Sequence, residues 1–243
     1  MLVKDEGIVL KTARSGETSK EVTFLGKQGG KIRLIAKGAL GGKSAFRGAL
    51  EPGNHLEAVY YFKEGRSRYY LKEVFVVATA TIDRRSLQGM AATLAALELL
   101  DRVCYAGSPD PSLVDVALDF VRCQPVADPL FFFLAFEIKL LEALGALPDL
   151  SGCVRCGADV EGGSYDPEEA ACFCANHEVP SPQAQSLYRD LLTFASRCLR
   201  EPLEGLKPER ADRKLRKDLG KLIHWTYTYH VQGYTLPESL KLL

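Results

Sequence analysis

The rhythm of hydrophobic and polar positions changes once along this chain, near residue 80. Before that point GIVLKT (7–12), EVTFLG (21–26), KIRLIAK (31–37), HLEAVYYF (55–62) and RYYLKEVFVV (68–77) are short runs rich in β-branched and aromatic residues. That is the composition of half-buried strands. KIRLIAK alternates in period two, so Lys31, Arg33 and Lys37 fall on one face while Ile32, Leu34 and Ala36 fall on the other. The linking segments carry turn chemistry: RSGE from Arg14, QGG from Gln28, Gly41 with Gly42, PGN from Pro52 and EGR from Glu64. Five such strands with no helical period predict a small closed barrel. The OB-fold is the commonest five-stranded barrel of this size and often binds oligonucleotides; an SH3-like barrel is the alternative.

After Ala80 the period becomes helical. Leu87, Met90, Leu94, Leu97 and Cys104 share a helical spacing, and Leu113, Val116 and Phe120 repeat it behind the PDP break at 109–111. Asp128 and Pro129 open LFFFLAFEIKLLEALGAL, apolar nearly all round, as expected of the central helix of an α-helical domain. Ser181 and Pro182 offer an N-cap and first-turn proline for a helix through Leu199. A last helix is expected from near Asp212, with Leu215, Leu219, Leu222, Ile223 and Tyr227 inward. The expected class is therefore α+β. Residues 1–80 form an OB-fold nucleic-acid-binding domain, and 81–243 an α-helical domain with a zinc-binding insertion at about 150–180.

Charge sharpens this division. The chain of 243 residues has 31 Lys and Arg against 31 Asp and Glu, but residues 1–80 hold 14 basic and 8 acidic side chains. Between Glu21 and Glu51 there is no acid at all, while Lys27, Lys31, Arg33, Lys37, Lys43 and Arg47 lie inside that window. Ordinary surfaces mix signs, so a stretch of one sign on a strand points to a polyanion. With Lys20 just before it, this set is the candidate nucleic-acid-binding surface. Lys31, Arg33 and Lys37 would track the backbone; Phe24 and Tyr61 are candidates for base stacking. The longest apolar run, Leu130 to Phe136, has seven residues, far short of a membrane span. The N-terminus lacks the apolar core of a signal peptide, so a cytoplasmic protein without membrane contact is expected, nucleoid-associated if its basic face binds DNA.

Four of the potential metal ligands cluster. Cys153 and Cys156 form a C-x2-C knuckle followed by Gly157, and Cys174 with His177 repeats the gap after seventeen residues. Facing knuckles of three sulfurs and one nitrogen suit a tetrahedral Zn2+ with no position left for water, hence one structural zinc. Cys172 with Cys174 is the competing pair; the C-x2-H spacing gives better geometry. Cys104, Cys123 and Cys198 read as core residues of helices.

No catalytic set emerges. GALGGKS (38–44) has three residues between its glycines where a phosphate-binding loop needs four. His55, His224 and His230 read as packed or surface histidines, and Trp225, Tyr227 and Tyr229 as core or helix surface. A non-enzyme is expected.

The run GGKIRLIAKGAL, then KS and RGALEPG, with GETS at 16–19 and GIVL at 7–10 before it, resembles the N-terminal domain of the RecO DNA-repair family. The resemblance continues through an α-helical domain and a cysteine-knuckle insertion, across essentially the whole chain. It departs at Leu40-Gly41-Gly42, where relatives often carry bases, and at His177 in place of a fourth cysteine. What it implies is an OB-fold recombination mediator without nuclease or ATPase activity. Such a protein binds single- and double-stranded DNA, anneals complementary strands and pairs with RecR. It engages the tail of the single-stranded DNA-binding protein and indirectly helps RecA onto gaps. That tail is acidic with an apolar end, so its groove needs the wall of the helix at 129–147 and cations from 207–221. The competing reading is a zinc-stabilised adaptor whose basic face binds an acidic protein.

Overall fold

In the computed structural model, which describes residues 1–42, 44–80, 86–124, 126–177, 181–207 and 213–242, the first strand, β1 (Leu2–Ser15), serves two neighbours. Its first half pairs antiparallel with β4 (His55–Tyr61) and its second with β2 (Ser19–Gly26). A register shift between Val9 and Lys11 bends it from one to the other. β2 pairs with β3 (Gly30–Ala36), and β3 meets β5 (Arg68–Ala78) in parallel from Arg33–Arg68 to Ile35–Tyr70. The barrel thus closes in the order β1-β2-β3-β5-β4, the five-stranded OB-fold arrangement.

Alternation places Val9, Val22, Phe24, Ile32, Leu34, Leu56, Tyr60 and Leu71 inside the barrel. Phe24 has no exposed surface, which removes it from the candidate stacking residues and gives it a core role. Truncating it to Ala would cost about 3–5 kcal/mol. The β2–β3 hairpin is fixed by a buried acid: the Gln28 and Gly29 N–H groups donate to the Asp5 carboxylate at 2.9 and 2.8 Å. Desolvation raises the Asp5 carboxyl above its usual range, against the lowering by those amides. Gly26 leaves room for that carboxylate, since a Cβ there would stand 2.1 Å from it.

Two compact units make up the chain. One holds the barrel, α1 (Leu87–Val103), α2 (Pro111–Arg122) and the 3-10 turn Glu238–Leu242. Ser86 and Asp110 cap the two helices by accepting from Gly89 N–H and Ser112 N–H. The buried side of α1 is its alanine face, Ala91, Ala92, Ala95 and Ala96, with Leu97, Leu99, Leu100 and Val103. Leu87 is 56% exposed, so the leucine spacing seen in the sequence starts one turn too early. Small side chains let α1 approach β1 and the C-terminal turn closely, and they leave a weak sequence signal. The turn is held at α1 by Glu98, which accepts from Glu238 N–H at 2.7 Å and from the Ser239 hydroxyl.

The second unit spans Val126–Leu236. Asp128 caps α3 (Pro129–Ala143) by accepting from Phe131 N–H. Phe131, Phe133, Phe136, Ile138, Leu140 and Leu141 are all buried, and α3 packs on α4 (Arg189–Arg200) and α5 (Arg213–His230). The helix expected from Ser181 begins only at Arg189. Ser181 instead caps a turn, and Gln185–Leu187 then extends as β8 along β6 (Gly163–Asp166), whose other neighbour is β7 (Ala171–Cys174). Sheet pairing overrides the N-cap signal there.

Candidate nucleic-acid interface and metal centre

The outer face of the barrel is best followed across the strands. Register sets Lys11 opposite Thr23, Thr23 opposite Arg33, and Arg33 opposite Arg68, giving one row over β1, β2, β3 and β5. Arg33 and Arg68 keep 56% and 59% of their side chains exposed. Below the row runs a groove of about 910 Å3 whose lining includes Lys11, Thr23, Lys31, Arg33, Arg66 and Tyr69. Lys11 and Arg68 escape a linear reading because strand register alone brings them into the row of Arg33, and Arg66 because it reaches the groove from the segment before β5.

Acids from outside the one-sign window return in space. Glu21 lies 3.8 Å from Arg33 and 3.2 Å from Arg68. Lys27 pairs with Asp115 of α2 at 3.0 Å and Glu6 at 3.4 Å, and the Asp115 contact in particular holds its ammonium above the usual value. Lys31 donates to the Asp101 carbonyl oxygen of α1, with the Asp101 carboxylate 3.6 Å away. Lys20 pairs with Glu51 at 3.1 Å. Lys37 lies just past β3, its Nζ 4.4 Å from the centre of the Tyr70 ring. Arg47 is exposed in the turns before β4, and no ion pair to it is found among the described residues. Lys43 lies outside the described residues.

The remaining histidines are structural partners. His55 is buried between Glu6, 2.9 Å from its Nε2, and Arg122, 3.3 Å from its Nδ1. His224 Nδ1 lies 2.9 Å from the Tyr234 hydroxyl, and His230 donates to the Pro167 carbonyl.

In the second unit the two knuckles converge. The ligand atoms of Cys153, Cys156, Cys174 and His177 all lie within 4.8 Å of one another. Gly157, at φ +71°, turns the chain so that its N–H donates to the Cys153 carbonyl at 2.8 Å. His177 N–H donates likewise to the Cys174 carbonyl. Nδ1 of His177 stands 3.1 Å from Cys174 Sγ and 3.6 Å from Cys153 Sγ, with Cys156 and Cys174 Sγ 3.9 Å apart. A tetrahedral centre with metal–sulfur bonds of about 2.3 Å and metal–nitrogen bonds of about 2.0 Å needs separations of this size. Backbone N–H groups, that of Cys174 foremost, pull the Cys153 thiol down to about 6. Cys172 stays out: it is buried on β7, and desolvation pushes its thiol up to about 12.

The same unit carries an apolar groove rimmed by cations. Leu130 and Leu134 of α3 face Arg213, Arg216, Lys217, Gly220, Lys221 and His224 of α5 around about 510 Å3. Arg216 is committed to Asp128, donating from Nη1 to Oδ1 at 3.0 Å. Arg210 lies outside the described residues.

A closed OB barrel followed, among the described residues, by five α-helices and a Cys3His cluster able to hold a metal defines a DNA-repair class of protein once its relatives are considered. Residues 1–80 match the family model "Recombination protein O N terminal", and 84–239 match "Recombination protein O C terminal". DNA repair protein RecO of Exiguobacterium sibiricum is 30% identical over 77% of this chain and 75% of its own. That of Alkaliphilus metalliredigens is 28% identical over 95% and 94%, and that of Anaeromyxobacter dehalogenans 33% over 71% and 69%. The chain belongs to the RecO family.

Proposed function

We propose that this protein is a cytoplasmic, nucleoid-associated recombination mediator. It binds single- and double-stranded DNA on the outer face of its barrel and anneals complementary strands. With RecR, it helps RecA onto gaps coated by single-stranded DNA-binding protein. The observation carrying this reading is the cross-strand row Lys11–Thr23–Arg33–Arg68 on strands β1 to β3 and β5. Strands two and three of an OB barrel are its usual oligonucleotide face. Residues 1–80 serve as the nucleic-acid module and 81–243 as the helical one.

The cations of such a row displace counterions from the DNA phosphates they meet, so binding is salt-dependent and indifferent to sequence. Screening two strands at once lowers their repulsion, which is the barrier to annealing. Lys27 and Lys31, tied to α2 and α1, set the position of the face, while Lys11, Arg33, Arg68, Lys37 and Arg47 meet phosphate. Lys20 stands at its margin, and Lys43 is assigned to it from the sequence alone. None of this requires bond-making by the protein, and the reading assigns no catalytic residue.

Cys153, Cys156, Cys174 and His177 would hold one Zn2+. A closed Cys3His shell supplies folding energy rather than reactivity. The groove between α3 and α5 fits an acidic peptide with an apolar end, as the tail of the single-stranded DNA-binding protein has.

A strand-annealing assay with and without the single-stranded DNA-binding protein tests the reading. Annealing that accelerates with the protein and falls steeply with salt is expected. Binding to acidic polypeptides with none to random-sequence DNA would transfer the basic face to a protein partner.

A further inference from the structure

Two residues beyond Arg68 along β5, on the same outer face, stands Tyr70. Register sets it opposite Tyr61 of β4 on one side and Ile35 of β3 on the other. Tyr61 in turn lies opposite Leu2 of β1. Tyr61, the last residue of β4, and Tyr70, the third of β5, are 53% and 47% exposed, an open aromatic pair at one end of the barrel face. Lys37 reaches over the Tyr70 ring, 4.4 Å from its centre. On the inner side of the same strands Tyr69 packs on Tyr60, ring centres 5.6 Å apart, and it stacks at 5.2 Å on the partly exposed Phe62 just past β4. The backbone under the two outward rings is thereby braced by an aromatic cluster beneath it.

An apolar pair therefore adjoins the cationic row, offset from it by two residues along a strand, about 7 Å. The loop between β4 and β5 borders the same area, where a second hollow of about 500 Å3 is lined by residues including Ser15, Ile35, Arg66, Arg68 and Tyr70. Cations and π-faces in adjacent rows match the two halves of a nucleotide. The row Arg68–Arg33–Lys11 takes phosphates, and the rings take bases. Duplex DNA can satisfy only the first, because its bases are paired and stacked on one another.

We propose that Tyr61 and Tyr70, with Lys37 over the latter, form a base-stacking platform that makes the barrel face selective for single-stranded nucleic acid, a proposal that presupposes the DNA-binding reading above. In the free protein Lys37 covers one face of the Tyr70 ring; a base stacking on that face would displace the ammonium toward its own flanking phosphate. Stacking is largely insensitive to salt, whereas the phosphate row is not. The two contributions are separable by experiment.

The full chain would be titrated into fluorescent oligo-dT and into a fluorescent blunt hairpin duplex at several salt concentrations. Comparison is with Tyr61→Ala/Tyr70→Ala, Tyr70→Phe and Arg33→Ala/Arg68→Ala. Because both tyrosines are about half exposed, their replacement should leave the melting temperature near wild type. The double tyrosine variant should lose roughly ten-fold or more in oligo-dT affinity, since each stacked base contributes a factor of that order. Duplex affinity and the salt slope should stay within about two-fold of wild type, and Tyr70→Phe should retain oligo-dT binding. The double arginine variant should weaken both ligands and flatten both slopes. Unchanged oligo-dT affinity in the tyrosine variant, or equal losses on both ligands, would overturn the platform, yet leave the DNA-binding reading intact if the arginine variant still weakens binding. Wild-type protein that binds neither ligand would overturn both.

Discussion

Arg33 and Arg68 sit side by side at the parallel junction that closes the barrel, and a single carboxylate, Glu21, reaches both. Two guanidinium groups held by one acid are oriented but underneutralised, which suits a site meant to exchange that acid for phosphate. Because these ion pairs are more than half exposed on the arginine side, they contribute little to stability.

Replacing Lys11, Arg33 and Arg68 together by Ala should therefore spare the fold and weaken all DNA sequences alike. Each lost phosphate contact removes about 0.7 from the log–log salt slope for single strands, so the triple variant should be shallower by about 2. Glu21→Gln should act oppositely and tighten binding at low salt. Measured slopes that stay the same in the triple variant would move the DNA surface away from this face.

An acid-free window in sequence is not an acid-free surface. Asp101 and Asp115 reach Lys31 and Lys27 from helices far along the chain, and Glu21, at the window's own edge, lands beside Arg33 through the hairpin register. The barrel itself was legible, because inward Ile32, Leu34 and Ala36 alternate with outward Lys31 and Arg33 under local rules. The Cys3His cluster was legible for the same reason: each knuckle is four residues long. What stayed hidden depended on non-local pairing. Arg68 joins the cationic row only through the β3–β5 contact, and β8 forms at Gln185–Leu187 only because β6 offers it an edge.

Purified without chelator, the protein should contain about one zinc per chain. His177→Ala and Cys153→Ser should lose it, whereas Cys172→Ser should keep it because that thiol is buried away from the cluster. Chelation should unfold the region around 150–180 and raise its protease sensitivity while leaving DNA binding by the barrel measurable. Metal analysis of the three variants decides the ligand set; retention by His177→Ala would transfer the fourth position to another residue.

Glu137 lies buried within α3, where desolvation lifts its carboxyl to about 8. A carboxyl whose folded value exceeds its unfolded one binds more protons when folded, so stability falls as pH rises from about 4.5 to about 8. The penalty at the alkaline end should be on the order of a few kcal/mol. Glu137→Gln should remove much of this dependence and stabilise the protein most at pH 8 and above. Denaturant melts at pH 5 and pH 8.5 would show it, and an equal effect of the substitution at both would assign Glu137 a charged partner instead.

The groove between α3 and α5 offers the last test. Leu130 and Leu134 supply an apolar wall, and Arg213, Lys217 and Lys221 rim it, while Arg216 is engaged by Asp128. An acidic peptide with an apolar C-terminal residue would bury that end between the leucines and set its carboxylates along α5. Arg213→Glu/Lys217→Glu should then weaken a labelled peptide of the single-stranded DNA-binding protein's tail by at least ten-fold, about 1.4 kcal/mol. Its salt dependence should shrink as well, and DNA affinity on the barrel face should not change. Leu130→Asp, at the more exposed of the two leucines, should abolish peptide binding by putting a charge where the apolar end belongs. If the charge-reversed variant binds the peptide as well as wild type does, α5 is a solvated face and the tail docks elsewhere.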